Sequence, residues 1–319
     1  MMAVLKESIE EAEGIINGLV TSGRALTRNE QLYADRMRFT RYSYDITSGY
    51  MSMVEAAATA CDYGTAAAIG EKAIAVREEL TDMNGTFTTY RGYKVEHRGY
   101  AWWPGEVRQY GELQQFIDGT HGRLIAKLPV DWAFHRDDDD TGEERGFASK
   151  PVDLSYWEAN QSSLTLDSRK DYPDEWEMLS TALYAQAQGI RHPDRQSYTG
   201  QMWYRTDVTL SDTDAGGKVH IRFPGLFNAC RLYVNGVEVK QRLRRDGEVY
   251  GGLWWYNDYK YEWDVDLTGK LDARVNTITL KCDVNHHFGG MFRRPFLYEP
   301  HVEVDEGGYV IIDETADAE

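Results

Sequence analysis

Apolar positions in the first hundred residues recur at helical spacing. Leu5, Ile9, Ala12, Ile16 and Leu19 are separated by 4, 3, 4 and 3 residues, which lays one apolar stripe along a single helical face. Thr27-Arg28-Asn29-Glu30 fits a capping box, in which the threonine hydroxyl and the glutamate carboxylate satisfy backbone N–H groups left over at a helix start. A long second helix follows, with Leu32, Phe39, Ile46, Tyr50, Met53, Ala57 and Ala60 as its inward stripe and Arg36 and Ser43 breaking the pattern. A third helix carries Ile69, Ala73, Val76, Leu80 and Met83 and stops at Asn84-Gly85, a common C-terminal cap. A shorter one begins at Pro104, which a first turn tolerates, and uses Val107, Tyr110, Leu113 and Ile117. The stripes predict an antiparallel helical bundle and read as its core.

Beyond about residue 128 the period changes to alternation. From Gln201 to Leu210, Tyr204, Thr206, Val208 and Leu210 alternate with Trp203, Arg205, Asp207 and Thr209, a strand with one buried face. Val219, Ile221 and Phe223 mark a second strand. Cys230, Leu232 and Val234 mark a third, closed by the hairpin signal Asn235-Gly236 and reopened by Val237 and Val239. Tyr261, Trp263 and Val265 give a fourth, and Ile278, Leu280, Cys282 and Val284 a fifth. Many short strands separated by turn residues predict an all-β sandwich. Cys230 and Cys282 fall on apolar faces and read as small buried hydrophobes.

Composition supports two domains of different class. The 319 residues carry 35 basic and 52 acidic side chains, a formal net charge of -17. Residues 1–101 hold 11 basic and 14 acidic side chains and no tryptophan, so the acidity and all nine tryptophans belong to the remainder. That field repels phosphate backbones and anionic lipid surfaces, so neither nucleic acid nor membrane is an expected partner. The first residues are acidic and amphipathic where a signal peptide would be basic and then apolar, and no apolar run is long enough to span a bilayer. Three cysteines make no disulfide framework and leave the compartment open.

Several short motifs follow one another in order: Tyr198-Thr199-Gly200-Gln201-Met202-Trp203-Tyr204-Arg205, Ile221-Arg222-Phe223-Pro224-Gly225-Leu226, Leu232-Tyr233-Val234-Asn235-Gly236, Asp264-Val265-Asp266-Leu267-Thr268 and Asn276-Thr277-Ile278-Thr279-Leu280. The run resembles the jelly-roll sugar-binding domain of family 2 glycoside hydrolases, the galactose-binding-like module that precedes the catalytic barrel in β-galactosidases and β-glucuronidases. Upstream, Trp132-Ala133-Phe134 through Gly142, Gly146-Phe147 and Trp157 is similar to the opening segment of that module. The helical part resembles, more loosely, helices that follow barrel domains in large bacterial polysaccharide-processing proteins. The resemblance implies an α+β multidomain chain: a helical domain over 1–127, a galactose-binding-like β-sandwich over 128–302 and an acidic tail over 303–319. Two departures stand out, a long aromatic and basic loop from Arg242 to Lys260 and the acidic tail after Glu299 where the family continues into further domains. The barrel that carries the family's two carboxylates is absent, so no catalytic residue is carried over.

Candidate binding chemistry follows from residue type. Sugars present flat C–H faces ringed by hydroxyls, which suit an aromatic platform flanked by planar polar groups. Trp254, Trp255 and Tyr256 sit together near Arg244 and Arg245, and Asn285, His286 and Arg293 form a second cluster; these are the candidate carbohydrate contacts. Among the acids, Asp137, Asp138 and Asp140 read as a solvated loop or as ligands of a structural calcium ion, the one cofactor considered. His286-His287 is a poor ion site because strand neighbours point to opposite faces. Trp102-Trp103 reads as a plug between the domains.

The expected function is a non-catalytic accessory region of a glycoside hydrolase-like protein that binds an oligo- or polysaccharide or braces an absent catalytic domain. A fragment of a secreted enzyme would place it outside the cytoplasm. The alternatives are a complete small glycosidase or lyase with an unrecognised acid pair, and a purely structural interaction module.

Overall fold

Where the apolar period is three to four, the chain is helical. The computed structural model describes residues 2–21, 23–83, 103–193, 197–227, 229–242, 249–250, 261–285 and 288–311, without the side chains of 103–104, 241–242 and 249–250. Four long helices are α1 (Met2–Thr21), α2 (Arg28–Ala58), α3 (Tyr63–Met83) and α4 (Trp103–Asp118). The chain divides into two units, Met1–Ala56 with Asp62–Gly111, and Ala57–Cys61 with Glu112–Glu319.

In the first unit the capping box forms as its residues dictate. The Glu30 amide donates to Thr27 Oγ1 at 3.3 Å and the Thr27 amide donates to Glu30 Oε2 at 2.8 Å. Hydrogen bonds from Arg24 and then Thr27 hold the Glu30 carboxyl down at about 2. The predicted stripes are only partly covered. Ile9 is buried in α1 while Leu5 is 43% exposed, and in α2 Met53 and Ala57 are buried while Leu32 and Tyr50 are exposed. Ala60, expected inside, is exposed and follows the end of α2. In α3 the buried set is Tyr63, Ala66, Gly70, Ala73 and Leu80. Small residues let the helices approach: a Cβ on Gly70 would stand 2.4 Å from Val107 Cγ2 and 2.7 Å from Met53 Sδ, and one on Gly49 would stand 2.9 Å from Ala73 Cβ. The expected cap at Asn84-Gly85 lies outside the described residues, as does the Trp102-Trp103 side-chain pair.

The second unit is built from antiparallel strands. One sheet has four, in the order β1 (Gly122–Lys127), β14 (Phe296–Pro300), β5 (His220–Phe223) and β11 (Trp263–Asp266). The other has six, in the order β3 (Glu177–Ser180), β2 (Asp131–Asp137), β4 (Gly200–Thr209), β12 (Val275–Val284), β7 (Ala229–Val234) and β8 (Val237–Glu238). Two short pairs complete the set, β6 (Leu226–Phe227) with β13 (Gly290–Met291) and β9 (Gln241–Arg242) with β10 (Val249–Tyr250). The β7–β8 turn is the one that Asn-Gly favours, with φ of 51° at Asn235 and 79° at Gly236.

The two sheets face each other as a jelly-roll sandwich. Ile221, Phe223, Trp263, Val265 and Leu297 from the four-stranded sheet share one buried core with Trp132, Phe134, Met202, Tyr204, Leu232, Ile278 and Leu280 from the six-stranded sheet. β4 departs from the one-faced strand that its alternation predicts. Trp203, on its other face, is fully buried and shares a second cluster with Ala133, Tyr233, Phe147 and Trp176. In α4, Phe116 and not Ile117 is buried, because its ring packs on Tyr298 of β14 at 5.4 Å.

Arg222 is buried on the outer face of the four-stranded sheet. Its guanidinium donates to Glu262 and, at 3.2 Å, to Asp264, and lies 4.1 Å from the Phe116 ring centroid. Burial alone would lower its pKa, but Glu262 and Asp264 outweigh that and raise it. Tyr298 donates to Asp264 Oδ2 at 2.7 Å and His220 Nδ1 lies 2.7 Å from Asp264 Oδ1. Residues 303–311, expected within an acidic tail, instead fold back: Val304 bridges Val310, the Asp264 amide donates to Glu306 O at 3.1 Å and Arg222 donates to Gly308 O at 2.8 Å.

Two outcomes are expected in chemical denaturation followed by circular dichroism. Gly70→Val forces a branched side chain against Val107 and should lower stability by about 1–3 kcal/mol. Arg222→Leu strips Glu262 and Asp264 of their cation and should lower it by about 3–5 kcal/mol. A midpoint unchanged by either substitution would contradict the packing described.

Candidate functional site

The strands of the sandwich end in loops, and at one set of these loops five aromatic rings close a circuit. Tyr184 lies 5.1 Å from Phe288, Phe288 5.8 Å from Phe227, Phe227 5.5 Å from Tyr261, Tyr261 6.1 Å from Phe292, and Phe292 4.4 Å from Tyr184, all between ring centroids. Phe227 is buried and the other four are half-buried.

Backbone hydrogen bonds fix the rim. β6 pairs with β13, Leu226 N donates to Tyr261 O at 2.8 Å, and Phe292 N donates to Gly225 O at 3.0 Å. Gln186 links two further loops, accepting from Gly289 N at 3.1 Å and donating to Tyr198 O at 3.1 Å. Only glycine fits at position 290, where φ is 82° and a Cβ would stand 2.2 Å from Tyr204 Oη. Tyr261 itself has φ of 56°, an uncommon conformation for a bulky residue that the bond from Leu226 holds in place.

Of the residues chosen from sequence, Trp254, Trp255, Tyr256, Arg244, Arg245 and His286 lie outside the described residues. Asn285 is exposed directly after β12, three residues before Phe288. Arg293 is turned inward: it is 6% exposed, donates to Pro224 O at 3.0 Å and lies 5.0 Å from the Phe292 ring centroid. Its described role is to brace Phe292. Tyr184, Phe227, Phe288 and Phe292 are not among the candidates that the sequence offers, although aromatic residues around Gly289-Gly290 are a visible signal, and Tyr261, expected in the fourth strand, precedes β11.

The acidic run is a clamp across the outer face of the six-stranded sheet. Asp137 is buried, and its carboxylate accepts from the amides of Thr141 at 2.8 Å and Gly142 at 3.0 Å and from the Trp203 indole at 2.8 Å. Asp138 is exposed. Asp140 accepts from Lys281 Nζ at 2.9 Å, and Glu143 Oε1 accepts from Lys281 at 3.2 Å and from Arg231 and Tyr233 at 3.3 Å each. Calcium requires several oxygens turned to one point, whereas these are turned to N–H donors and to the chain's own cations. Among the described residues no group of three or more His, Cys, Asp or Glu is placed to hold a metal ion. Asp137, Asp138 and Asp140 therefore do not fit the calcium site expected of them.

Glu177 is a buried carboxyl with a raised pKa. It stands on β3 opposite Phe134, with its side chain 1% exposed and Oε2 3.5 Å from Arg169 Nε. Burial pushes its pKa up to about 7 against the pull of Arg169 and Arg136. A perturbed carboxyl is a functional candidate when it sits in a cleft, and this one is enclosed by the fold.

No protein-family model matches the chain, and no curated protein matches it. Among solved structures, it is similar to a β-glucuronidase from Ruminococcus gnavus in complex with uronic deoxynojirimycin, with 14% identity and a TM-score of 0.38 over 58% of this chain and 30% of that one. It is also similar to an uncultured Clostridium sp. β-glucuronidase, with 15% identity and a TM-score of 0.40 over 59% of this chain and 31% of that one. The chain thus spans less than a third of the length of these enzymes. No described helix is long and apolar enough to cross a membrane.

The raised pKa of Glu177 has a definite sign. Between the ordinary value of 4.5 and about 7 the folded chain holds a proton that the unfolded chain has released, so stability falls as pH rises through that window. The loss should total on the order of 3 kcal/mol. In urea denaturation from pH 4 to pH 8, Glu177→Gln should gain on the parent as pH rises; a constant difference would show that Glu177 does not titrate in this window.

Proposed function

We propose that the second unit is a non-catalytic carbohydrate-binding module of a glycoside hydrolase-like protein, and that its ligand seats on the aromatic rim. The observation that carries this reading is the circuit of five rings, four of them half-buried, gathered at the loop end of a sandwich. Aromatic rings are the kind of flat apolar surface on which sugar C–H faces pack. Asn285, exposed at the end of β12, is proposed as a polar contact. Trp254, Trp255 and Tyr256, with Arg244, Arg245 and His286, are proposed as further contacts, because the segment that contains most of them rejoins the described fold at Tyr261. Arg293 acts behind them by holding Phe292. A catalytic barrel elsewhere in the whole protein would be the module's natural neighbour.

A second reading, a protein-docking role for the helical unit, is favoured by its exposed apolar side chains. Val4, Ile15 and Val20 of α1 and Tyr33 and Met51 of α2 are each more than half exposed.

Calorimetric titration with a hit from a glycan array tests the first reading. Phe288→Ala, Tyr184→Ala, Trp254→Ala and Trp255→Ala, each checked for folding by circular dichroism, should weaken binding roughly ten- to a hundredfold, or about 1–3 kcal/mol. Folded variants that all bind like the parent would remove the rim as the site. Aryl glycosides and polysaccharides incubated with the chain should release no product; turnover abolished by one Asp or Glu substitution would restore the glycosidase alternative.

A further inference from the structure

Three sulfurs stand in a row at the centre of the six-stranded sheet. Cys282 of β12 is paired with Cys230 of β7 on one side and with Met202 of β4 on the other. Cys230 and Cys282 are both buried and both belong to the sandwich core, with their sulfur atoms 3.4 Å apart. All three cysteines of the chain are thiols in this structure, and Cys61 lies apart, its Sγ directed at Arg294 O at 3.4 Å.

Opposed residues on antiparallel strands have Cβ atoms about 4.5–5.5 Å apart, and a disulfide asks for about 3.5–4.5 Å between Cβ atoms and about 2.0 Å between sulfurs. The pair is thus about 1.3 Å from bonding distance, a gap that side-chain rotation and a small approach of two neighbouring strands can close. We propose that Cys230 and Cys282 are a redox-active pair that forms a cross-strand disulfide when the chain folds in the presence of a disulfide oxidant.

The step balances with oxidised glutathione as that oxidant. The thiolate of one cysteine attacks a glutathione sulfur, forming a mixed disulfide and expelling one glutathione thiolate. The second cysteine attacks the protein-side sulfur and expels the other, so two protein thiols are oxidised to one disulfide while one glutathione disulfide is reduced to two thiols. Burial raises the Cys230 thiol's pKa and shuts out bulky oxidants, so closure belongs to folding, before the core is sealed. Once formed, the bond spans 52 residues of chain and ties together two central strands. Cys230 follows Phe227 by three residues and Cys282 precedes Asn285 by three, so it also tethers the strands that lead to the rim.

The test is refolding of the full chain in glutathione buffers from fully reduced to fully oxidised, with a second preparation secreted into the bacterial periplasm for the case that refolding fails. Each sample is alkylated in denaturant and weighed, and its peptides are mapped. The expected result under oxidising conditions is a mass about 2 Da lower before alkylation, one alkylated cysteine at Cys61, and a linked peptide pair containing Cys230 and Cys282 that separates on reduction. Three alkylated cysteines in both preparations, a bridge that includes Cys61, or glutathione retained on Cys230 or Cys282 would each overturn the proposal. Cys282→Ala should abolish the linked pair; if that variant does not fold, the peptide map of the parent chain decides alone.

Discussion

The second unit hangs on one ladder. β4 and β12 pair in unbroken register over ten residues, from Gly200 opposite Val284 to Thr209 opposite Val275, in the middle of the six-stranded sheet. Their inward side chains, among them Tyr204 and Leu280, fill the sandwich core, and outward Trp203 fills the second cluster. A slip of one residue would exchange the two sets and place Lys281 and Arg205 in the core, so burial on both sides fixes the register more firmly than one-sided burial would. The ends of β12 and β7 then fix where the rim loops begin.

The buried charges select among possible covers for the outer sheet faces. An apolar outer face would accept many covers of similar size. Arg222 accepts one that brings a carbonyl to Nη2, which the turn at Gly308 does, in a space where a Cβ on Gly308 would stand 2.5 Å from the guanidinium. Lys281 does the same for the acidic run, since its ammonium is satisfied when Asp140 and Glu143 arrive together. A fully buried pair such as Arg222–Glu262 adds little to stability over an apolar equivalent, but removing one partner is severe, which is the behaviour of a positional lock. An excess of acid across the domain is thereby compatible with a closed structure: several carboxylates have been given internal cations and N–H donors.

Helices, their order and most strands were legible from periodicity and turn chemistry. The capping box at Thr27–Glu30 and the Asn235-Gly236 hairpin are local, so a few residues suffice to specify them. What periodicity missed depends on distant partners. Trp203 looked solvent-facing because nothing in its own strand announces that Phe147 and Trp176 will cover it. Asp137 looked like a ligand because its donors, Trp203 and the amides at 141 and 142, become visible only when the chain turns back. The rings of the rim come from segments far apart in sequence that only the fold brings together, and Arg293 packs on one of them, Phe292.

The outer faces of both sheets are partly covered by the chain itself. The outer face of the six-stranded sheet is closed by the 137–154 segment, through Phe147, Leu154 and the acid clamp. The outer face of the four-stranded sheet is closed over Arg222 by Phe116 and by the turn at Gly308. Where the strands end at the ring circuit, the backbone is held by paired short strands and by Gly290, whose position admits no side chain. A rim made this way is positioned by the core beneath it.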